Sequence, residues 1–224
     1  MATMEGRSSL YVPPHFRETR AQMIVDVVTR NPFGILVTCS SAGEPEASHL
    51  AFTYHPNTEN GGHGVVLGHL AIANPQCESI RQGKRATIIF SGPHHYISPR
   101  FYRTSPSTPT WNYCAVHMTG HLDPTPESGL DETLSKLTDS LEKGYQAPFR
   151  YESLSPSYTA TRKPGILAFR MTVESIDAQF KMSQNRTAED RRGVIKGLRR
   201  LHDQEADAVA SIMDRLLREA KPEN

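Results

Sequence analysis

Five of the six residues in the stretch KMSQNR, residues 181–186, carry hydrogen-bonding side chains: Lys181, Ser183, Gln184, Asn185 and Arg186. They stand directly before a helix start, where Thr187 can cap the first turn and Asp190 follows three residues on. Lysine and arginine offer positive charge to a phosphate or another anion. Serine, glutamine and asparagine offer neutral donors and acceptors, which suit the polar edge of a planar ligand or the backbone of a loop. A polar turn that pins a strand to the next helix would use the same residues, and the segment alone leaves the two readings even.

Three other segments are richer in polar and aromatic groups than a strand needs. In ASHLAF, Ser48 and His49 sit within a strand pattern, although simple alternation would also turn His49 outward. In GHLAIANPQ, His69 follows Gly68, and Asn74 precedes a helix beginning near Pro75. A helix N-terminus beside a histidine suits an anion, and capping by itself also accounts for Asn74. In PTWNYCAVH, the single tryptophan, Trp111, adjoins Asn112. A lone tryptophan serves a core or an interface as readily as a cofactor platform.

Other chemistries find little support. No Ser/His/Asp order and no carboxylate pair beside a histidine stands out, so no catalytic residue is singled out. The ten histidines are scattered and form no HExxH or tight His/Cys cluster, so no metal site is expected. No GxGxxG follows a strand pattern. Amides, hydroxyls, histidines and a few cations remain, an inventory that suits holding a planar, phosphorylated ligand better than splitting water.

Twenty-five Lys and Arg against twenty-four Asp and Glu give a net charge of +1, which does not mark the whole chain as a nucleic-acid binder. Arg191, Arg192, Lys196, Arg199 and Arg200 form a local basic run, but Glu189, Asp190, Asp203, Glu205 and Asp207 flank it and a solvated helix face explains it. No apolar run is long enough to span a bilayer, and the N-terminal residues lack a secretory apolar core, so no membrane association is expected. Three cysteines without CxxC spacing suit a reducing compartment. The expected location is the cytoplasm, with the nucleus left open.

Helices and strands must position these groups. Met23, Ile24, Val27 and Val28 mark a first helix that Asn31-Pro32 ends. FGILVTC, ASHLAFTYH, VVLGHL, RATIIFSG and TWNYCAVHMTGHL read as strands, with a glycine-rich hairpin loop in NTENGGHG and a short helix in ANPQCESIRQGK. PHHYISPRFYRTSPSTP reads as a long connection. Leu130, Leu134, Leu137 and Leu141 mark an amphipathic helix; YQAPFRYESLSPSYTATRKP is irregular with one short helical turn; GILAFRMTVESIDAQFKMS is a long strand or bent pair. A last helix carries Val209, Ile212, Met213, Leu216 and Leu217. Five or six strands flanked by helices predict a mainly β fold, an antiparallel barrel. The expected organisation is a single domain over 1–224, with a helical insertion at about 126–163 and C-terminal helices at about 187–219.

YVPPHF, NPFGILVT, ASHLAF, GHLAIANPQ, FSGPHHYISPRFY, TWNYCAVHMTG and FKMSQNRTAEDRRGVIKGL occur in one order and together resemble the PaiB family of FMN-binding transcriptional regulators. The resemblance implies a flavin-reductase-like split β-barrel and a homodimer with FMN bound between subunits. Carried over from it, Ser48 and His49 line the isoalloxazine, His69 and Asn74 lie toward the ribityl phosphate, and the TWNY and KMSQNR blocks complete the site, with the contributing subunit open. The chain departs from the family at Phe180, where a tryptophan is expected, at Pro164, and through 140–163. Three functions follow: a flavin-dependent oxidoreductase or flavin carrier with an unspecified substrate; a regulator of the PaiB type, with no strong DNA binding expected; and a haem protein or cofactor-independent enzyme on the same fold, for which His49, His69 or His117 could supply an axial ligand.

Overall fold

The computed structural model describes residues 8–57 and 62–220. Helix α1 (Ala21–Arg30) precedes strands β1 (Phe33–Cys39), β2 (Pro45–Ala51), β3 (Thr53–His55) and β4 (Val65–Ala71). Helix α2 (Gln76–Arg81) leads to β5 (Arg85–Ile97) and β6 (Thr110–Pro124). Helices α3 (Leu130–Glu142) and α4 (Pro156–Arg162) precede β7 (Ile166–Lys181), and α5 (Ala188–Arg199) and α6 (Gln204–Glu219) end the described chain. The seven strands form one sheet in the order β2-β1-β5-β6-β7-β4-β3. The fold is mainly β with flanking helices, as the strand pattern predicts. Of the glycine-rich loop expected over NTENGGHG, residues 58–61 lie outside the described residues.

Two compact units share the chain. Val25–Phe90 and His117–Ile176 belong to the first; Leu10–Ile24, Ser91–Val116 and the residues from Asp177 onward belong to the second.

In the first unit β1 and β2 form a hairpin that sets His49 opposite Ile35 and Ser48 opposite Leu36. Gly43, at φ 81°, supplies the left-handed residue that the turn needs. β4 pairs antiparallel with β7, and Gly68 lies under an aromatic ring: a Cβ there would come within 2.8 Å of Phe169 Cζ. The core is built around Phe52, fully buried with Phe90 and Phe169, whose rings it meets edge to face at 5.7 and 6.4 Å. Leu130, Leu134 and Leu137 of α3 are buried, as their spacing predicts, while Leu141 is exposed.

In the second unit Thr187 caps α5 by accepting the Asp190 N–H at 3.2 Å, and Asp203 caps α6 by accepting the Ala206 N–H at 2.8 Å. Val194, Ile195 and Leu198 of α5 are buried, as are Val209 and Met213 of α6. Phe101 packs on α5 where the helix has no side chain: a Cβ at Gly197 would lie 2.3 Å from Phe101 Cδ1.

The structure corrects three expectations. The strands number seven rather than five or six, because ASHLAFTYH is divided between β2 and β3. β5 continues through Pro93 to Ile97, over residues expected to be loop. Its ladder with β1 covers only Thr87–Ile89, so the N–H that proline lacks is not needed on that side, and alternating burial persists beyond it. The segment expected to hold one short helical turn holds α4, seven residues long, opened by Pro156 and capped by the Ser155 hydroxyl.

Candidate functional site

The TWNY and KMSQNR blocks, 71 residues apart, meet in the second unit. Asn112 is fully buried and Ser183 nearly so, and the two side chains exchange hydrogen bonds: Asn112 Nδ2 donates to Ser183 Oγ at 3.0 Å, and the hydroxyl donates back to Asn112 Oδ1 at 3.2 Å. Ser183 adopts φ 62°, which a non-glycine residue tolerates only when its surroundings hold it there. Gln184 reaches back within the turn, its Oε1 accepting the Met182 N–H at 2.7 Å. Ser183, Gln184 and Asn112 therefore build the turn.

Other members of the blocks are presented rather than consumed. Lys181 Nζ donates to Thr110 Oγ1 at 2.7 Å. The Arg186 guanidinium carbon lies 4.8 Å from the centre of the Tyr102 ring, a cation–π contact. Lys181 is thus matched to a hydroxyl and Arg186 to a ring face; neither forms an ion pair with a carboxylate among the described residues, although the Arg186 charge acts on buried Asp190. Asn185 is exposed. Trp111 is 48% exposed, flanked by His94 and Tyr96 of β5 at ring-centre distances of 6.0 and 6.2 Å, so it is not a core residue.

The remaining candidates lie in the first unit. Asn74 Nδ2 donates to Ser48 Oγ at 2.8 Å, and Asn74 Oδ1 accepts the Gln76 N–H at 2.9 Å. One amide thus ties β2 to the turn before α2. Helix α2 has only six residues and carries Glu78 in its first turn, so its dipole adds little potential for an anion. His49 is exposed and stacks on Phe33 at 6.0 Å with 23° between the rings. His69 is half-buried, and burial lowers its pKa, which favours the neutral imidazole. Its Nδ1 is buried with no hydrogen-bond partner among the described residues.

Each unit by itself holds groups of the kinds that FMN needs. In the first, an orphaned imidazole nitrogen, a hydroxyl–amide pair and an exposed flat ring suit a planar ring system with a polar edge; in the second, two cations outside any carboxylate ion pair suit anionic parts. Sequence patterns did not reveal Phe33 under His49, Tyr102 under Arg186 or Thr110 on Lys181. Each is a long-range or loop contact without periodicity, and only the aromatic–basic texture of FYR, residues 101–103, hinted at one of them.

Residues 10–175 match the model of a family described as "Putative FMN-binding domain". The chain belongs to this PaiB-like FMN-binding family. The "Protease synthase and sporulation protein PAI 2" of Bacillus subtilis (strain 168) is 34% identical over 205 residues, which cover 92% of this chain and 97% of that protein. An uncharacterised protein of Emericella nidulans is 30% identical over 241 residues, covering 91% and 96%. Among solved structures, the FAD and haem binding protein from Mycobacterium smegmatis superposes with a TM-score of 0.58 at 16% identity, covering 74% of this chain and 73% of that one. The flavocytochrome Anf3 from Azotobacter vinelandii gives 0.56 at 14%, covering 76% and 72%. At such identities the likeness is one of fold, the split barrel of flavin-binding proteins. FMN is the cofactor of the family, and the residues described here suit it.

Proposed function

We propose that this member of the FMN-binding family works as a homodimer and uses its flavin as an oxidoreductase or flavin carrier. When bound, FMN supplies the electron chemistry, and the protein supplies binding, orientation and charge. The observation that carries the proposal is the turn held by the buried Asn112–Ser183 pair, from which Lys181 and Arg186 are offered against a hydroxyl and a ring face rather than in an ion pair with a carboxylate. The pair fixes the turn. Lys181 and Arg186 then present positive charge to an anionic part of the cofactor, with Asn185 beside them. In the first unit, Ser48 and His49 serve the ring, and His69 and Asn74 serve the ribityl phosphate end. Exposed aromatics, Trp111 and 66%-exposed Phe33 among them, favour a second copy as their cover.

Denaturing the purified protein and chromatographing the released ligand tests the cofactor. FMN is expected, with flavin absorption bands and no Soret band. No flavin, and no binding on adding FMN, refutes the proposal; a Soret band favours the haem alternative. Light scattering tests the dimer, and a particle at the single-chain mass of 25.0 kDa throughout the micromolar range contradicts it.

A specific observation bears on the regulator reading. A cleft of about 630 Å³ is lined by Arg192, Lys196, Arg199, Arg200 and Arg218. Acids that sequence proximity assigns to these cations are engaged elsewhere: Asp190 holds the backbone of Arg103 and Thr104, Asp203 caps α6, and Glu205 accepts the His94 N–H. Arg191 does not belong to the patch. It is only 6% exposed, on the face shared with Val194, Ile195 and Leu198, and its Nε and Nη2 have no partner among the described residues. With Asp214 paired to Arg199 and Arg218, the expected DNA binding is weak, salt-sensitive and non-specific. A discrete footprint at physiological salt, lost in Arg192→Ala/Lys196→Ala, would establish direct regulation instead.

A further inference from the structure

A second cleft in the first unit is explained neither by the family blocks nor by the cofactor. It has a volume of about 220 Å³ and lies among the end of α1, strand β3 and helix α3, with Thr29, Tyr54, His55, Lys136, Ser140 and Lys143 in its walls. That is below the ~300–1,000 Å³ usual for sites that hold drug-sized ligands, so FMN is too large for it and a compact ligand is not.

Its chemistry is unbalanced. His55 Nε2 is buried and has no hydrogen-bond partner among the described residues. Burial, and then the charges of Lys136 and Lys143, lower the pKa of this imidazole, so both ammonium groups act on it. The other groups that face it are spent. Asp139 is paired with Arg150 at 2.7 Å, and the Tyr54 hydroxyl donates to the His63 carbonyl at 2.7 Å. Lys136 has an exposed partner in Glu132 at 2.6 Å, which leaves Lys143 without a carboxylate partner among the described residues. A buried polar atom left unpaired is costly, and the two ammonium groups beside it keep the imidazole from taking up a proton. A negative group in the cleft relieves both at once.

We propose that this cleft binds a small oxyanion, a phosphate or a carboxylate group, between Lys136, Lys143 and Ser140, with His55 as a hydrogen-bond donor. The site is separate from the FMN-binding residues and does not rest on the proposed electron-transfer role. An anion there draws a proton onto His55, so binding tightens as pH falls through the histidine range. Burial raises the Tyr54 pKa, so its hydroxyl does not titrate at those pH values.

The test is calorimetric titration of the full-length protein, saturated with FMN, with sulfate, inorganic phosphate and succinate at constant ionic strength. Sulfate does not titrate in this range and isolates the protein's own proton uptake. Saturable binding is expected for at least one probe, tighter at about pH 6 than at about pH 8. Lys143→Met and His55→Gln should each weaken it about tenfold, the loss of one charged hydrogen bond. Lys143 is at the protein surface, so its variant keeps the fold, and its FMN affinity should equal the parent's. Binding of sulfate and phosphate but not succinate assigns a phosphate group; the reverse assigns a carboxylate. No saturable binding of any probe up to about 50 mM, or binding that both variants leave unchanged, overturns the proposal.

Discussion

Asp190 holds the 99–104 segment, and with it Tyr102, against the start of α5, so removing its carboxylate should loosen the platform under Arg186. The side chain is 1% exposed. Its Oδ1 accepts the backbone N–H groups of Arg103 at 2.7 Å and Thr104 at 2.9 Å, and its Oδ2 accepts the Thr104 hydroxyl at 2.6 Å. Burial by itself would raise the carboxyl pKa; the bonds from Thr104 and Arg103, with the Arg186 charge, outweigh it and hold the group below the usual carboxylate range. Asp190→Ala strands both backbone donors. Each stranded donor costs about 1–3 kcal/mol, but Arg103 and Thr104 are exposed and water recovers part, so about 2–4 kcal/mol in total is expected. Asp190→Asn keeps an acceptor for the two N–H groups and loses only charge and the hydroxyl bond, for about 1–2 kcal/mol. Because the folded pKa is lowered, this contribution is complete above the unfolded aspartate value and fades as pH falls through the folded one. Urea unfolding of the apoprotein at neutral pH and at successively lower pH measures both. An alanine variant within about 0.5 kcal/mol of the parent, or an asparagine variant as costly as alanine, refutes this account of the segment.

Gly197→Ala should destabilise by about 1–3 kcal/mol despite alanine's helix preference, because the new methyl meets Phe101; a rise in melting temperature would contradict the packing described. Ser183→Ala should cost about 2–3 kcal/mol in urea unfolding, since it leaves the buried Asn112 amide without its hydroxyl partner, and a neutral result would show that the pair does not hold the turn. His69 has its pKa lowered by burial, so stability should fall as pH drops below about 6.5; His69→Gln should flatten that slope, and an unchanged slope would place the titration elsewhere.

The sequence makes elements with local periodicity legible. Leu130, Leu134 and Leu137 announce the buried face of α3, and Thr187 announces the start of α5. Strand β5 past Pro93 is illegible for a physical reason: a proline reads as a break unless the ladder that leaves its N–H free is known. The convergence of Asn112 with Ser183, and of Asn74 with Ser48, is set by sheet pairing between distant segments, which no window of sequence contains. Arg191 was readable in principle. It stands three, four and seven positions before Val194, Ile195 and Leu198, so helical spacing places it on their face, and only the adjacent cations suggest a surface patch. The role of the KMSQNR block lies between these cases: its composition marks it, but the division into turn-building and presented residues depends on which side chains find partners.

The most direct test of that division is titration with FMN of the parent and of Lys181→Met, Arg186→Met and Asn185→Ala, alongside melting of each apoprotein. Methionine keeps much of the stem's packing and removes the charge. Lys181→Met and Arg186→Met should each weaken FMN binding about ten- to a hundred-fold, the worth of a charged hydrogen bond of ~1.5–3 kcal/mol, with the melting temperature of the apoprotein held. Asn185→Ala should cost less, about 1 kcal/mol. If instead all three bind FMN like the parent while the apoproteins melt earlier, KMSQNR is a structural turn and does not hold the cofactor.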